Sequence, residues 1–149
     1  MKRVAFWTGA IVMAIGLAGL AAARVKRPRE LGPWILSGHY AFGFHGRVLA
    51  AGTLPGPIAG SGLLELNGRG GLSGSESFNA GGTVCWGTIA GTYVVHAQGT
   101  CELHLSFSPK MGPCPSEKFN TEGAIFASGR GIEFSSTDNI RVVIGEAQK

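Results

Sequence analysis

The sequence predicts an all-β protein: a single antiparallel up-and-down barrel of about eight strands after an N-terminal signal segment. Three observations predict it. Short apolar runs alternate with polar residues at period two, as in half-buried strands. Twenty-five glycines punctuate those runs and suit tight turns. No segment after Leu31 repeats apolar residues at helical spacing over three turns. A two-sheet β-sandwich is the alternative that this pattern leaves open.

The N-terminal region has the composition of an export signal. Met1-Lys2-Arg3 is a basic start, residues 4–23 are almost wholly apolar, and Ala21-Ala22-Ala23 suits a signal peptidase. We therefore expect a signal peptide (1–23), a basic linker (24–34) and a β-barrel domain (35–149), in a periplasmic or secreted protein.

An uncleaved membrane anchor is the alternative for this region. The basic cluster at 24–29 opposes translocation, and the apolar run at 4–23 is long enough to span a bilayer. If the segment is uncleaved, it is the sole part of the chain for which we expect membrane contact.

The net charge of +4 comes from the N-terminal region. From Leu31 onward the chain has seven Lys and Arg residues against eight Asp and Glu residues, so the domain is close to neutral. A near-neutral domain lacks the basic surface that nucleic acids require, and we expect no nucleic-acid partner.

The first strands follow from alternation and turn residues. The first runs from Ile35 to His45 and places Tyr40, Phe42 and Phe44 on one face. A turn at Gly46-Arg47 is expected to lead into a return strand over 48–54. The next residues, 55–57, are predicted as a loop because two prolines remove ladder donors.

The remaining strands are separated by equally short connections. Asn67-Gly68 is a hairpin signal, and Gly87 and Gly91 are natural bulge sites within one long strand. Residues 108–120 contain three prolines and are predicted as an ordered loop. The expected strands are 60–67, 71–78, 83–95, 100–107, 121–128, 131–136 and 140–147.

Several motifs carry a family resemblance: Gly38-x-Tyr40-x-Phe42, Gly91-Thr92-Tyr93, Gly99-Thr100-Cys101, and Gly131-Ile132-Glu133-Phe134 followed by Thr137-Asp138. With these motifs the chain resembles a group of small exported bacterial proteins of unassigned function, over roughly residues 36–147. The resemblance implies a calycin-like barrel, of the allene oxide cyclase and lipocalin type, that can hold an apolar cavity. It carries no catalytic residue onto this chain.

Three cysteines allow one disulfide and leave one thiol. In the central hairpin Val95 is expected to oppose Thr100, which places Cys85 opposite a residue near position 110. Cys101 lies about 20 Å away, at the other end of its strand. Bridged cysteines need Cα atoms within about 7 Å of each other, so we predict a Cys85–Cys114 disulfide and a buried Cys101 thiol.

The sequence contains no catalytic or metal-binding constellation. His39 and His45 share a face but lie about 20 Å apart, and no two cysteines have Cys-x-x-Cys spacing. We therefore predict no metal, no cofactor and no catalytic residue. Four acids could pair across strands for acid–base chemistry, but we interpret them as solvent-facing: Glu65, Glu76, Glu102 and Glu133.

Aromatic side chains are the feature that indicates binding. We expect them to point into the barrel together, where they either fill the core or line a pocket for an apolar ligand. A filled or nearly filled core is favoured. The candidate pocket residues are Tyr40, Phe42, Phe44, Trp86, Tyr93, Phe107, Phe126 and Phe134.

The predicted function is that of an exported, non-catalytic barrel that binds a small apolar ligand or a partner outside the cytoplasm. Two alternatives remain at this stage. One is a barrel enzyme of the isomerase or cyclase type, and the other is a structural or interaction module without a ligand.

Overall fold

The chain forms a closed antiparallel barrel in which each strand pairs with the next and the last pairs with the first. The structure is a computed structural model that describes residues 30–49 and 52–149. The predicted fold class is confirmed, and the sandwich alternative is wrong. The strands are β1 (Ser37–Val48), β2 (Gly56–Asn67), β3 (Gly71–Ala80), β4 (Thr83–Val95), β5 (Thr100–Met111), β6 (Glu117–Phe126), β7 (Gly131–Ser136) and β8 (Arg141–Gln148).

The predicted signal peptide, and the part of the linker before Glu30, lie outside the described residues. Within the described part of the chain, no helix has the length and apolar character needed to cross a membrane.

Several strand limits differ from the sequence prediction. The turn expected at Gly46-Arg47 is absent, because Gly46 pairs with Ile58 on β2 and Val143 on β8 in an unbroken β1. No strand occupies 52–54, and β2 instead begins at Gly56 and includes Pro57. Proline is tolerated there because it lies at the start of the strand.

The predicted proline-rich loop at 108–120 is also shorter than expected. Residues 108–111 extend β5 and residues 117–120 begin β6, so only 112–116 connect the two strands. Pro109 fits within β5 because it lies opposite Gly87, where a register shift interrupts the ladder.

One end of the barrel, the capped end, is covered by the segment before β1. Pro33–Ile35 forms a short 3-10 helix, and Leu36 is fully buried. The Tyr93 hydroxyl on β4 donates to the Leu36 carbonyl oxygen at 2.6 Å and lies 3.0 Å from that of Pro33. Tyr40 donates to the carbonyl of Gly129 in the β6–β7 turn. Two buried tyrosines therefore hold this cap and the adjacent turn in place.

The opposite end, here the cavity end, is where β1, β3, β5 and β7 finish. Its core is a small apolar cluster against which Leu54 and the rings of Phe44 and Phe78 pack. The buried members of that cluster are Val48, Ile58, Ala80 and Val143.

The predicted disulfide is confirmed: Cys85 on β4 is bonded to Cys114, with Cα atoms 5.9 Å apart. Val95 pairs with Cys101 rather than Thr100, and a bulge between Trp86 and Gly87 moves the register further. Both shifts are small enough to leave the predicted partners adjacent.

The remaining cysteine, Cys101, is a buried free thiol, as predicted. Burial raises its pKa to about 11, so it is protonated at neutral pH and unreactive in the folded state. The disulfide elsewhere in the chain indicates an oxidising environment, since such bonds do not persist in the reducing cytoplasm.

Candidate functional site

The barrel interior contains a cavity of about 60 Å³ between the capped end and the cavity end. Its wall is mainly apolar, with polar groups supplied by β3, β6, β7 and β8. The interior is therefore nearly filled, as the sequence favoured, and the unfilled part lies among aromatic rings. Those rings are Phe42, Phe44, Phe78, Phe107, Phe119 and Phe134.

Ring contacts fix the shape of this cavity. Phe42 and Phe44 on β1 stack with their centroids 6.2 Å apart, and Phe78 meets Phe107 edge to face at 5.1 Å. Both arrangements are favourable for aromatic pairs. Phe44 and Phe78 are only half buried, so this part of the wall is less tightly held than Phe107.

The eight predicted pocket aromatics divide into three groups. Four of them, Phe42, Phe44, Phe107 and Phe134, line the cavity. Tyr40 and Tyr93 also point inward but belong to the capped end, where their hydroxyls are hydrogen bonded. Two lie on the outer surface instead: Trp86 is 46% exposed and Phe126 is 37% exposed.

The outward placement of Trp86 and Phe126 corrects the expectation that all eight aromatics point inward. On β4 the odd-numbered residues are buried, so Trp86 falls on the opposite side from its neighbour Cys85. On β6 Phe126 likewise follows the inward Ile125, and its ring covers Gly131 on the outside.

Glu76 is the buried carboxyl group of the cavity wall, with 4% of the residue exposed. The expectation that Glu76 faces solvent is wrong, because Leu72, Glu76 and Phe78 lie on the inward side of β3. No hydrogen bond or ion pair joins its carboxyl group to another described residue. By contrast, Glu65 and Glu133 are exposed on the outer face, as expected.

Arg141 acts electrostatically on Glu76, but its guanidinium contacts two other carboxylates. Its Nη2 lies 3.2 Å from Oε2 of Glu117 on β6, and its Nε lies 3.0 Å from Oδ2 of Asp138. The guanidinium also lies over the ring of Phe119, 5.3 Å from its centroid. Arg141 is only 8% exposed. Its buried charge is compensated by the two carboxylates at the edge of the cavity.

The β7–β8 turn positions this arginine. Asp138 Oδ1 accepts the backbone N–H groups of Ile140 at 3.2 Å and Arg141 at 3.0 Å, as aspartate does in tight turns. Ser136 accepts the N–H of Val143 and donates to the Arg141 carbonyl, both at 3.0 Å. The backbone at the start of β8 is thus fixed on both sides.

Three buried polar atoms of the site have no hydrogen-bond partner among the described residues. The Oγ1 atom of Thr121 is buried against the cavity and has no hydrogen-bond partner among the described residues. The Nε of Arg141 and the Oδ2 of Asp138 are close in space but are not aligned as a hydrogen bond. Buried polar atoms without protein partners are uncommon, so these atoms are available to hydrogen bond with a molecule in the cavity.

The electrostatics of the cavity raise the pKa of Glu76 to about 7. Burial is the main cause, because it disfavours the charged form. The Arg141 guanidinium lowers this pKa and the nearby Glu117 carboxylate raises it, so the two partly offset each other. Glu76 therefore changes its charge near neutral pH.

A second, larger concavity of about 1190 Å³ lies mainly on the outer face of β5 to β8 and β1. It is open to solvent and carries acids that pair directly across strands, Glu102 with Glu122 and Glu133 with Glu146. Glu102 also lies 3.0 Å from His96. We favour the interior cavity as the functional site, although it is smaller, because it lies inside the barrel and is lined by buried polar groups that have no partner among the described residues.

The histidines do not form a site. His39 and His45 are exposed on the outer face of β1. His104 lies on the outer face of β5, 3.7 Å from Glu102. Within the described ranges, no group of three or more His, Cys, Asp and Glu side chains is arranged to hold a metal ion.

The sequence contained a signal for Glu76 that the prediction missed. On β3, Leu72, Glu76 and Phe78 share one parity, so an inward Phe78 implies an inward Glu76. The sequence pattern did not predict that Arg141 and Glu117 lie near Glu76. Their position around the cavity depends on closure of the barrel through pairing of β8 with β1.

Comparison of this chain with protein-family models, curated proteins and solved structures found no significant match. The candidate site is therefore defined by its own geometry.

Proposed function

We propose that this protein is exported and binds a compact, largely apolar molecule inside its barrel, without catalysing a reaction. The observation that carries the proposal is the phenylalanine-walled cavity beside an unpaired buried carboxyl group. The N-terminal sequence pattern and the disulfide support export.

The size of the cavity limits the ligand. A volume of about 60 Å³ is close to that of two water molecules in the liquid, whereas pockets for drug-sized ligands measure roughly 300–1,000 Å³. The ligand is therefore small, or it enters by displacing the half-buried rings of Phe44, Phe78 and Phe134. Glu117 and Asp138 lie at the cavity end and their side chains are 23% and 15% exposed, so we expect a ligand to enter there.

Xenon is a suitable probe, because it is apolar and enters dry cavities. We expect ¹²⁹Xe NMR of the purified protein to show saturable binding that Val143→Phe abolishes, since Val143 lines the cavity. The matched control is Val142→Phe, because Val142 is 62% exposed on the outer face. Equal xenon binding by both variants would contradict the proposal. If xenon binds as expected, native mass spectrometry of protein purified from its own host would identify a ligand that co-purifies with it.

A second candidate function, an isomerase or cyclase, is favoured by one observation. A buried carboxyl group whose pKa lies near 7 can accept and return a proton at neutral pH. Wild-type protein in D₂O would then exchange deuterium into a small carbonyl compound, and Glu76→Gln would not. The small cavity volume favours the binding protein over this enzyme, because a reaction needs room for a substrate and its transition state.

A further inference from the structure

We propose that the ligand of the interior cavity is a small aliphatic amine, with its ammonium group on the Glu76 carboxylate and the Thr121 hydroxyl. This inference rests on the proposed function and specifies the chemistry of its ligand. It follows from charge, from hydrogen-bonding capacity and from the aromatic wall.

Charge around the cavity favours a cation. Three carboxyl groups, those of Glu76, Glu117 and Asp138, lie around the single guanidinium of Arg141 in this cluster. Arg141 is already in contact with Glu117 and Asp138, and no positive group of a described residue lies at contact distance from the Glu76 carboxylate. A ligand that carries positive charge supplies the missing partner.

The hydrogen-bonding capacity of the cavity wall also favours an ammonium group. An ionised carboxylate only accepts hydrogen bonds, and the Thr121 hydroxyl can accept as well as donate. Both groups line the same cavity and neither has a hydrogen bond to a described residue. An ammonium group has three N–H donors and can satisfy both, whereas an acceptor-only or anionic ligand would leave Glu76 unsatisfied.

The aromatic wall accommodates the rest of such a ligand. The rings of Phe42, Phe44 and Phe78 present apolar surface to a short alkyl group, and ring faces attract a nearby cation. In this structure the guanidinium of Arg141 already lies over Phe119 in that manner. A cavity of about 60 Å³ admits only the smallest alkyl groups as it stands, so an alkyl group of three carbon atoms requires the half-buried rings of Phe44 and Phe78 to move aside.

The test compares two probes of the same shape, isopropylamine and isopropanol, by calorimetry on the folded protein at pH 8 and 0.15 M salt. We expect the amine to bind about 10- to 100-fold more tightly than the alcohol, as a charge-assisted contact implies. Glu76→Gln should remove that preference while keeping the volume of the side chain. Glu65→Gln, on the exposed outer face of β2, is the matched control and should leave it unchanged.

A second readout is the pH dependence of the amine affinity. The groups that act on Glu76 are Arg141 on β8 and Glu117 on β6, and Asp138 joins them through Arg141. Ionisation of Glu76 should raise the amine affinity between pH 6 and 8 and leave the isopropanol affinity unchanged. This slope should be absent in Glu76→Gln.

The possible outcomes separate this inference from the proposed function. Equal binding of the two probes, or an amine preference that survives in Glu76→Gln, would overturn the amine inference alone. Failure of xenon, isopropanol and isopropylamine alike to bind the interior would overturn the proposed function as well.

Discussion

Glu76 and Arg141 line the same interior cavity, yet Arg141 pairs with Glu117 and Asp138 and not with Glu76. Among the described residues the buried Glu76 carboxyl group has no contacting cation, and burial raises its pKa to about 7. A protein that needed only stability would place an apolar side chain at this position, because an unpaired buried charge is costly.

The stability of the protein should depend on pH through Glu76. The folded-state pKa of about 7 lies above the ordinary value of 4.5, so the unfolded chain loses this proton first. The stabilising contribution of protonated Glu76 to the free energy of unfolding is fully present below about pH 4.5. It declines as the pH rises and is lost above about pH 7. Glu76→Gln should therefore raise the free energy of unfolding by roughly 3 kcal/mol at pH 8 and change it little at pH 4.

Urea unfolding of both proteins at pH 4, 6 and 8, with the disulfide intact, measures this difference. Glu65→Gln serves as the control and should show no such pH dependence, because Glu65 is exposed. A stabilisation by Glu76→Gln that is equal at pH 4 and pH 8 would show that Glu76 titrates normally.

Phe42→Ala should destabilise the protein by about 3–5 kcal/mol, because the residue is only 8% exposed and its ring forms part of the cavity wall. Phe126→Ala is the matched control on the outer face, where we expect a loss of about 1 kcal/mol. Thermal and urea unfolding give both values. A cost at Phe126 as large as that at Phe42 would mean that the assigned sides of β1 and β6 are wrong.

The disulfide should contribute about 2–4 kcal/mol, since it closes a loop with a sequence separation of 29 residues. The Cys85→Ala/Cys114→Ala double variant measures this loss. Cys101 should resist alkylation in the folded protein and react only after unfolding, because it is buried and its pKa is raised to about 11. Peptide mapping without reduction that shows a bridge to Cys101 would contradict the strand register.

Much of the fold could be predicted from local pattern. One-sided aromatic alternation at Tyr40 and Phe42 identified the inward side of β1, and the register argument placed Cys85 beside Cys114. The predicted turn at Gly46-Arg47 failed because glycine is also used inside strands. At Gly46 an added Cβ would lie 2.0 Å from the Val142 carbonyl oxygen of β8, so close strand approach requires glycine there.

The candidate site was harder to predict, for a physical reason. The expectation that Glu76 faces solvent depends on giving all four acids an outward parity, whereas the parity of β3 places Glu76 inward. The approach of Arg141 and Glu117 depends on closure of the barrel, which local alternation does not encode. The residues that break the rule of apolar interiors are those now assigned to binding.

Gly91→Ala should destabilise the barrel by about 1–3 kcal/mol. A Cβ atom at Gly91 would lie 1.9 Å from the carbonyl oxygen of His104, so β4 and β5 would have to separate. Gly43→Ala is the matched control, because the nearest atom to its Cβ would be the Gly60 carbonyl oxygen at 3.8 Å. Urea unfolding measures the loss of stability in both variants. An equal loss for Gly91→Ala and Gly43→Ala would contradict the prediction.

Glu76 is a buried carboxyl group that lines the interior cavity without a contacting cation among the described residues. The most direct measurement is a ¹³C NMR titration of its side-chain carboxyl carbon in the folded protein, assigned by comparison with Glu76→Gln. We expect a midpoint near pH 7 that moves downward when isopropylamine is added. A midpoint near 4.5, unaffected by the amine, would place this carboxyl group in water and contradict the site described here.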